Sequence, residues 1–456
     1  MKILILFFLF ISNDFIFSQH KYKVDYELSK KEEAFLDKVQ YHSFQYFMHE
    51  VNKENGLVKD RSRIDAPSST AATGFGVVSW IIGAERGWIT RDKAFELVNT
   101  LVTFLLNSDQ SGSVTSTGYK GFYFHFLDMK TGERVWDCEL STIDTGLLLA
   151  GLRFAYQYFN EDTEAEKKLR TMIDTITHRI DWDWLTIKEP KDKTNQYTIS
   201  LGWYPDRGFY EAGWRGFNEA LIVYILAAGS GHTYAEKGYQ SWLNTYKVGE
   251  PYPELKHVMY PPLFVHQYSH MFVDFRNMYD SFMKNLGIDY FENSRRATLT
   301  QRLYSMENPK NWVGYDSLTW GITACDGPGE EYNFNGNVFL GYAGRGTSGP
   351  DFTFFDDGTI APTAAGGSIV FTPEYSIPAL KNMYERFGQK GLWGKYGFKD
   401  AFNLTANWFG PEYIGIDQGP FVIMIENLRT GLVWEYLMRD PVIKKGLDRL
   451  GFKRTQ

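Results

Sequence analysis

Two carboxylates stand where chemistry could be done. Asp144 follows Ser141-Thr142-Ile143 and Glu219 follows Phe217-Asn218, and after each comes a long apolar run. Each acid therefore falls in the expected first turn of a helix that is apolar on nearly every face. A carboxyl group among such neighbours is costly to ionise, and two acids whose environments push their pKa values apart can serve as proton donor and proton acceptor. A plainer reading competes with this one. Ser141, three residues before Asp144, makes a near capping box with Asp in place of Glu, and any carboxylate in a first turn answers the helix dipole. Two acids at matching ends of neighbouring helices tip the balance toward catalysis. Glu139, just ahead of the first of these helices, is a third acid within reach.

Similar polar segments precede the other apolar helices. They read Arg61-Ser62-Arg63-Ile64-Asp65, His266-Gln267-Tyr268-Ser269-His270, Asp356-Asp357-Gly358-Thr359 and Tyr413-Ile414-Gly415-Ile416-Asp417-Gln418. If the helices run in one direction, all these segments meet at one mouth. Carboxylates, amides, imidazoles and aromatic rings converging on a rim are what a carbohydrate cleft needs. Aromatic residues make up 17% of the chain, with 13 Trp, 29 Tyr and 35 Phe, enough to supply stacking platforms as well as a core. The candidate sugar-binding residues are Arg63, Trp136, Trp203, Trp214, His266, Gln267, His270, Trp320, Asp357 and Asp417.

Other chemistries find less support. His266 and His270 have metal-ligand spacing, but Gln267 stands where a zinc protease needs its glutamate, so sugar binding or packing is the better reading. Phe354-Phe355-Asp356-Asp357-Gly358 lacks the alternating ligands of a calcium loop and reads as a turn. The glycines at 341, 344 and 346 do not follow a dinucleotide-binding order. There is no Gly-Lys-Ser/Thr phosphate loop, and no Gly-x-Ser-x-Gly elbow for an esterase. No metal or cofactor is expected. With 48 Lys+Arg against 55 Asp+Glu the net charge is −7, which disfavours wrapping a phosphate backbone. The same acidity argues against a polysaccharide lyase, which would need a basic cleft for acidic glycans. A non-catalytic glycan-capture protein would want an anchor, and no cysteine lies near the N-terminus to carry a lipid.

The elements that must position these residues show in the hydrophobic period. Segments 70–86, 141–158 and 217–230 are apolar all round, as enclosed helices should be. Segments 91–107 and 164–180 carry one apolar stripe at a 3.6 period and a solvated face. Further enclosed helices are expected near 266–280, 361–371 and 419–433, and striped ones near 29–52, 235–246, 290–306 and 374–388. Six enclosed and about six striped helices in alternation describe an all-α fold, an (α/α)6 toroid with short β-hairpins or loops over one rim, forming one domain over about residues 25–455. Inserts 108–138 and 187–214, rich in Gly, Thr, Tyr and Trp, would supply those hairpins. Residues 1–18, with Lys2 ahead of an apolar run too short to span a bilayer, read as a secretory signal, so the protein is expected to be exported, periplasmic or secreted. The two cysteines, Cys138 and Cys325, could pair or remain buried thiols.

Six ordered motifs bear a family resemblance. Ser141-Thr142-Ile143-Asp144-Thr145, Phe217-Asn218-Glu219-Ala220-Leu221, His266-Gln267-Tyr268-Ser269-His270, Trp320-Gly321-Ile322-Thr323-Ala324, Asp357-Gly358-Thr359-Ile360-Ala361-Pro362 and Gly415-Ile416-Asp417-Gln418-Gly419-Pro420 resemble the glucoamylase-like proteins of exported bacterial glycan degradation. The nearest group is glycoside hydrolase family 144. The resemblance implies an (α/α)6 barrel, a β-1,2-glucan or its oligosaccharides as the bound partner, and hydrolysis with inversion at the anomeric carbon. It also implies catalytic carboxylates around Ser141–Asp144 and at Glu219.

Overall fold

A computed structural model describes residues 22–329, 336–347 and 355–455. The expected signal at 1–18 lies outside these residues, as does Phe354. Fifteen helices follow in order: α1 (Lys30–His49), α2 (Thr70–Glu85), α3 (Arg91–Asn107), α4 (Thr142–Tyr158), α5 (Glu164–His178), α6 (Leu221–Gly229), α7 (Ala235–Leu243), α8 (Tyr268–Phe272), α9 (Ser281–Leu286), α10 (Tyr290–Glu307), α11 (Pro362–Gly367), α12 (Pro373–Phe387), α13 (Gly415–Arg429), α14 (Leu432–Leu437) and α15 (Pro441–Arg449). Contacts run from α2 to α4, α6 and α8, through the short turn before α8 to α11, then to α13 and back to α2. That closes an inner ring of six. Helices α1, α3, α5, α7, α10 and α12 alternate with them on the outside. The architecture is an (α/α)6 toroid.

Sequence explains the two rings. Ser29 and Glu32 form a reciprocal capping box at the start of α1, and Thr90 and Thr163 cap α3 and α5. In α3 only Ala94, Leu97, Val98, Leu101, Val102 and Leu105 are buried, the stripe expected of an outer helix. In α2 every residue from Thr70 to Gly83 is buried, as an inner helix requires. Close approach sets the site. A methyl group at Gly151 of α4 would sit 2.4 Å from the Gly74 carbonyl oxygen of α2, so only glycine lets these two backbones touch.

Three inner helices are shorter than the period suggests. Helix α6 begins at Leu221, not 217, because the Asn218 side chain accepts from the Ala220 N–H (3.0 Å) and donates to the Arg215 carbonyl (2.9 Å), holding 216–220 as a turn. Glu219 therefore precedes its helix instead of occupying the first turn. Helix α8 stops at Phe272, where Val273 turns extended and Asp274 is engaged by Arg276. Helix α11 ends at the pair Gly366-Gly367. Helices α9, α14 and α15 were not anticipated.

The two inserts do more than form separate hairpins. They share one antiparallel sheet of five short strands, β1 (Gly118–Tyr119), β2 (Phe122–Phe124), β3 (Leu140–Ser141), β4 (Gly202–Tyr204) and β5 (Gly208–Phe209), lying in that order over the rim. Tyr123 pairs with Ser141, Leu140 with Trp203, and Trp203 with Phe209. Cys138 and Cys325 are both buried free thiols. No helix among the described residues is long and apolar enough to cross a membrane.

Candidate active site

The inner helices present their N-terminal ends to one cleft. Its volume is about 510 Å³, and its wall takes Ser69 and Ala71 from the start of α2, Ile143 and Asp144 from α4, Glu219 from the turn before α6, Tyr268 from α8 and Ile416 from α13. Arg63 and Trp136 stand at the lip. Four of the residues singled out from sequence, Asp144, Glu219, Arg63 and Trp136, thus meet in space.

Asp144 is both cap-bound and cleft-facing. Its N–H donates to Ser141 Oγ (3.2 Å), and the Ser141 hydroxyl returns a hydrogen bond to its carboxylate. The capping reading is therefore correct in geometry, but it does not use up the residue. Oδ1 of Asp144 lies 3.6 Å from Nε2 of His125, whose Nδ1 is 2.9 Å from Oε1 of Glu139. Burial pulls the His125 pKa down, but Asp144 and Glu139 outweigh it and lift it to about 9, so the imidazole is a cation at neutral pH. Burial would also raise Glu139, yet the hydrogen bond and charge of His125 hold it below the usual range. Asp144 stays above its ordinary value: burial raises it, Glu139 adds to this, and His125 and Ser141 oppose.

Glu219 has a different environment. Ser269 of α8 ties its backbone, donating from Oγ to the Glu219 carbonyl (2.8 Å) while accepting from the Ile222 N–H (3.0 Å). Among the described residues no side chain donates to its carboxyl group. Burial, with the charge of Asp144 adding to it, lifts this group to about 7 against the help of its own backbone N–H. The two acids are thus held apart in character: Asp144 faces a cation, and burial dominates at Glu219.

An acidic network also borders the cleft, and Asp417 is the member of it singled out from the sequence. Arg61 binds Asp60 (3.0 Å), Asp326 (3.1 Å) and Glu412 (3.0 Å). Behind them the Asp326 N–H donates to Asp400 Oδ2 (2.7 Å). Burial and the neighbouring Asp326 carboxylate raise Asp400 to about 7. Asp417, in the first turn of α13, is raised well above the carboxylate range by burial and then by Asp400. Asp400 thus favours the protonated form of Asp417. Burial and then the charge of Asp417 raise the Tyr268 phenol, and the exposed Tyr342 stands on the same wall.

Several sequence-chosen residues are elsewhere. Trp203 lies on the face of the sheet away from Glu139, stacked on Tyr119 with ring centroids 5.3 Å apart. Trp214 is half-buried and donates to Thr142 Oγ1 (2.8 Å), bracing α4. Gln267 is buried and spends its amide on the Ala364 carbonyl and Ser368 Oγ, both at 2.8 Å. His266 pairs with the Tyr260 carbonyl (2.9 Å) and His270 with Ser294 Oγ (3.0 Å), and burial drives both pKa values down to about 3. They are neutral packing histidines with separate partners. Trp320 is fully buried. Asp357 is a buried bidentate partner of Arg345, at 2.9 and 3.0 Å, and organises the loop behind the wall. Gln267 and His270 thus bond across to neighbouring helical segments instead of facing the mouth.

Among the described residues, His125, Glu139 and Asp144 are the one set of metal-ligand types whose ligand atoms lie within 4.8 Å of one another. The two ring nitrogens address different carboxylates, so the set is a chain of ion pairs and not a convergent cage.

Comparison with known proteins identifies the family. Residues 211–441 match the family described as "Putative glucoamylase". A crystal structure from Bacteroides uniformis with the same description superposes with a TM-score of 0.81 at 35% identity, covering 94% of this chain and 99% of that one. The chain belongs to this glucoamylase-like family. The glucoamylase-like fold is shared with an endo-β-1,2-glucanase from Chitinophaga pinensis, at TM-score 0.78 and 28% identity over 94% of this chain and 99% of that one. A curated relative from Parabacteroides distasonis, an exo β-1,2-glucooligosaccharide sophorohydrolase acting from the non-reducing end, is 31% identical over 453 residues. The alignment takes in 92% of the glucoamylase-like chain, which spans 58% of that relative's length.

Proposed function

We propose that this protein hydrolyses β-1,2-linked glucose chains at the mouth of the toroid, with Glu219 as the proton donor. The observation that carries this reading is the Glu219 carboxyl group, which faces the cleft and, with a pKa lifted to about 7, keeps its proton near neutral pH. The family supports hydrolysis, and the two named relatives support the β-1,2 linkage. In the proposed step water attacks the anomeric carbon and gives its proton to an ionised carboxylate. The glycosidic C–O bond breaks, and the leaving oxygen takes the Glu219 proton. Inversion follows from a single displacement.

Asp144 is the base in this reading, since the His125 cation favours its ionised form. The Asp400–Asp417 pair favours a second assignment: burial and neighbouring carboxylates raise both groups, and Tyr268, close to Asp417, lines the cleft. Turnover of β-1,2-glucan by Glu219→Gln, Asp144→Asn and Asp417→Asn, with proton NMR of the first product anomer, tests the reading. The expected result is an α-anomer and losses of about 10²–10⁴ for Glu219→Gln and for the base variant. A β-anomer first, or near-wild-type Glu219→Gln, overturns it.

Residues 1–18 support export, so the substrate would be met outside the cytoplasm. Sequencing the N-terminus of the mature protein from its host, expected to begin near Gln19, tests that.

A further inference from the structure

A row of side chains leads out of the cleft across the rim sheet. In the register of β2, β3 and β4, His125 follows Phe124, Glu139 precedes Leu140, and Tyr204 follows Trp203, so these three stand beside one another on one face. The His125 N–H donates to the Glu139 carbonyl (2.9 Å), as the extended register requires. Burial and the Tyr210 hydroxyl raise the Tyr204 phenol, and the Glu139 carboxylate adds to it. The row continues to Tyr210, whose hydroxyl lies 2.6 Å from that of Tyr204 and whose N–H donates to the Gly202 carbonyl (3.1 Å).

Two further features tie this row to the lip. The Arg207 guanidinium lies 4.0 Å from the Tyr204 ring centroid and donates to the Asp137 carbonyl (3.3 Å). That bond joins the β4–β5 hairpin to the loop bearing Trp136. There the backbone takes two successive left-handed residues, Trp136 at φ 58° and Asp137 at φ 48°, a costly conformation for side-chain-bearing residues. Its result is an indole that is 60% exposed and 5.1 Å from the ring of Phe126, a cleft residue. The other face of the sheet carries Trp203 and Phe209, packed against Trp184. The face bearing Tyr204, Glu139 and His125 is polar and aromatic, and it reaches the cleft at Asp144.

We propose that Trp136, Tyr204 and Tyr210, with Arg207, form an outer sugar-binding subsite that holds glucose units of the chain remote from the bond being cleaved. Sugar C–H faces stack on the indole and phenol rings, and the phenolic hydroxyls and guanidinium hydrogen-bond to sugar hydroxyls. The proposal rests on the glucan-hydrolase reading above and adds a preference for long chains.

The test measures kcat/KM for wild type, Trp136→Ala, Tyr210→Ala and Tyr210→Phe on β-1,2-linked glucose oligomers, from the shortest cleaved to a long polymer. The wild type should favour long chains. In both alanine variants the long-to-short ratio should fall about tenfold, the loss of one well-packed aromatic contact. Tyr210→Phe, which removes only a hydroxyl, should shift the ratio the same way by less, and it stands in for Tyr210→Ala if that variant unfolds. A ratio within about twofold of wild type in all variants, or an equal fall at every length, overturns the subsite. If wild type cleaves none of the oligomers, the functional reading fails instead, and the two failures are distinct.

Discussion

Nε2 of His125 lies 3.6 Å from Oδ1 of Asp144, and among the described residues His125 is the one cation paired with that carboxylate. His125 follows a strand and Asp144 comes from the start of an inner helix, so the contact joins the rim sheet to the ring. Removing the cation by His125→Gln should raise the Asp144 pKa further. If Asp144 is the base, it must be ionised, and the acidic limb of the kcat/KM–pH profile should move up by about one unit. An unmoved limb in an otherwise folded His125→Gln points to the Asp400–Asp417 pair as the base.

Glu219 predicts a limb on the other side. As the donor it must be protonated, so kcat/KM should fall as pH rises past about 7. Its effect on stability has a definite sign. A carboxyl whose pKa is raised from 4.5 unfolded to about 7 folded gives a contribution that is full below about 4.5 and lost as pH rises through about 7. Glu219→Gln does not ionise, so relative to wild type it should gain of the order of 3 kcal/mol between pH 4 and pH 8. Urea titrations of both proteins at the two pH values measure this.

Asp400 should behave in the same direction for stability. Its carboxyl is held near 7 by burial and the Asp326 charge, so wild-type stability from this pair is full at acid pH and lost as pH rises through about 7. Asp400→Asn should therefore flatten the dependence of the thermal midpoint on pH between 5 and 8. A slope equal to wild type would mean that another pair carries the proton.

The helix crossing gives a packing prediction. Gly151→Ala places a methyl group 2.4 Å from the Gly74 carbonyl oxygen, and backbone must move to admit it. The cost should be about 1–3 kcal/mol, read as a lower urea midpoint with an unchanged slope. Gly344→Ala, whose added methyl meets nothing within 4 Å, is the control and should be neutral.

The outline of the toroid was legible because its helices announce themselves locally. Ser29 with Glu32, Thr90, and the stripe from Ala94 to Leu105 are short-range signals that tertiary structure did not override. Asp144 and Glu219 were legible because each adjoins an apolar run. His125 was not, since it follows a three-residue strand with no period to flag it. Asp326 and Asp400 lie in irregular segments whose partners are 265 and 74 residues away in sequence. The opposite error has the same origin. Gln267, His270 and Asp357 look like ligand-binding residues because a polar motif at an inner-helix end reads alike whether it faces the mouth or bonds across to α10, α11 or a loop. Sequence places a residue at the rim; only the third dimension says which way it turns.

The sheet that joins β3 to β4 brackets the whole of α4 and α5, so its strands cannot pair until two rungs of the toroid stand between them. Contacts spanning so long a stretch of chain close late, after local helices have formed. The sheet wall of the cleft is therefore assembled after the two helices it brackets. On refolding from urea, far-ultraviolet helix signal should recover ahead of activity.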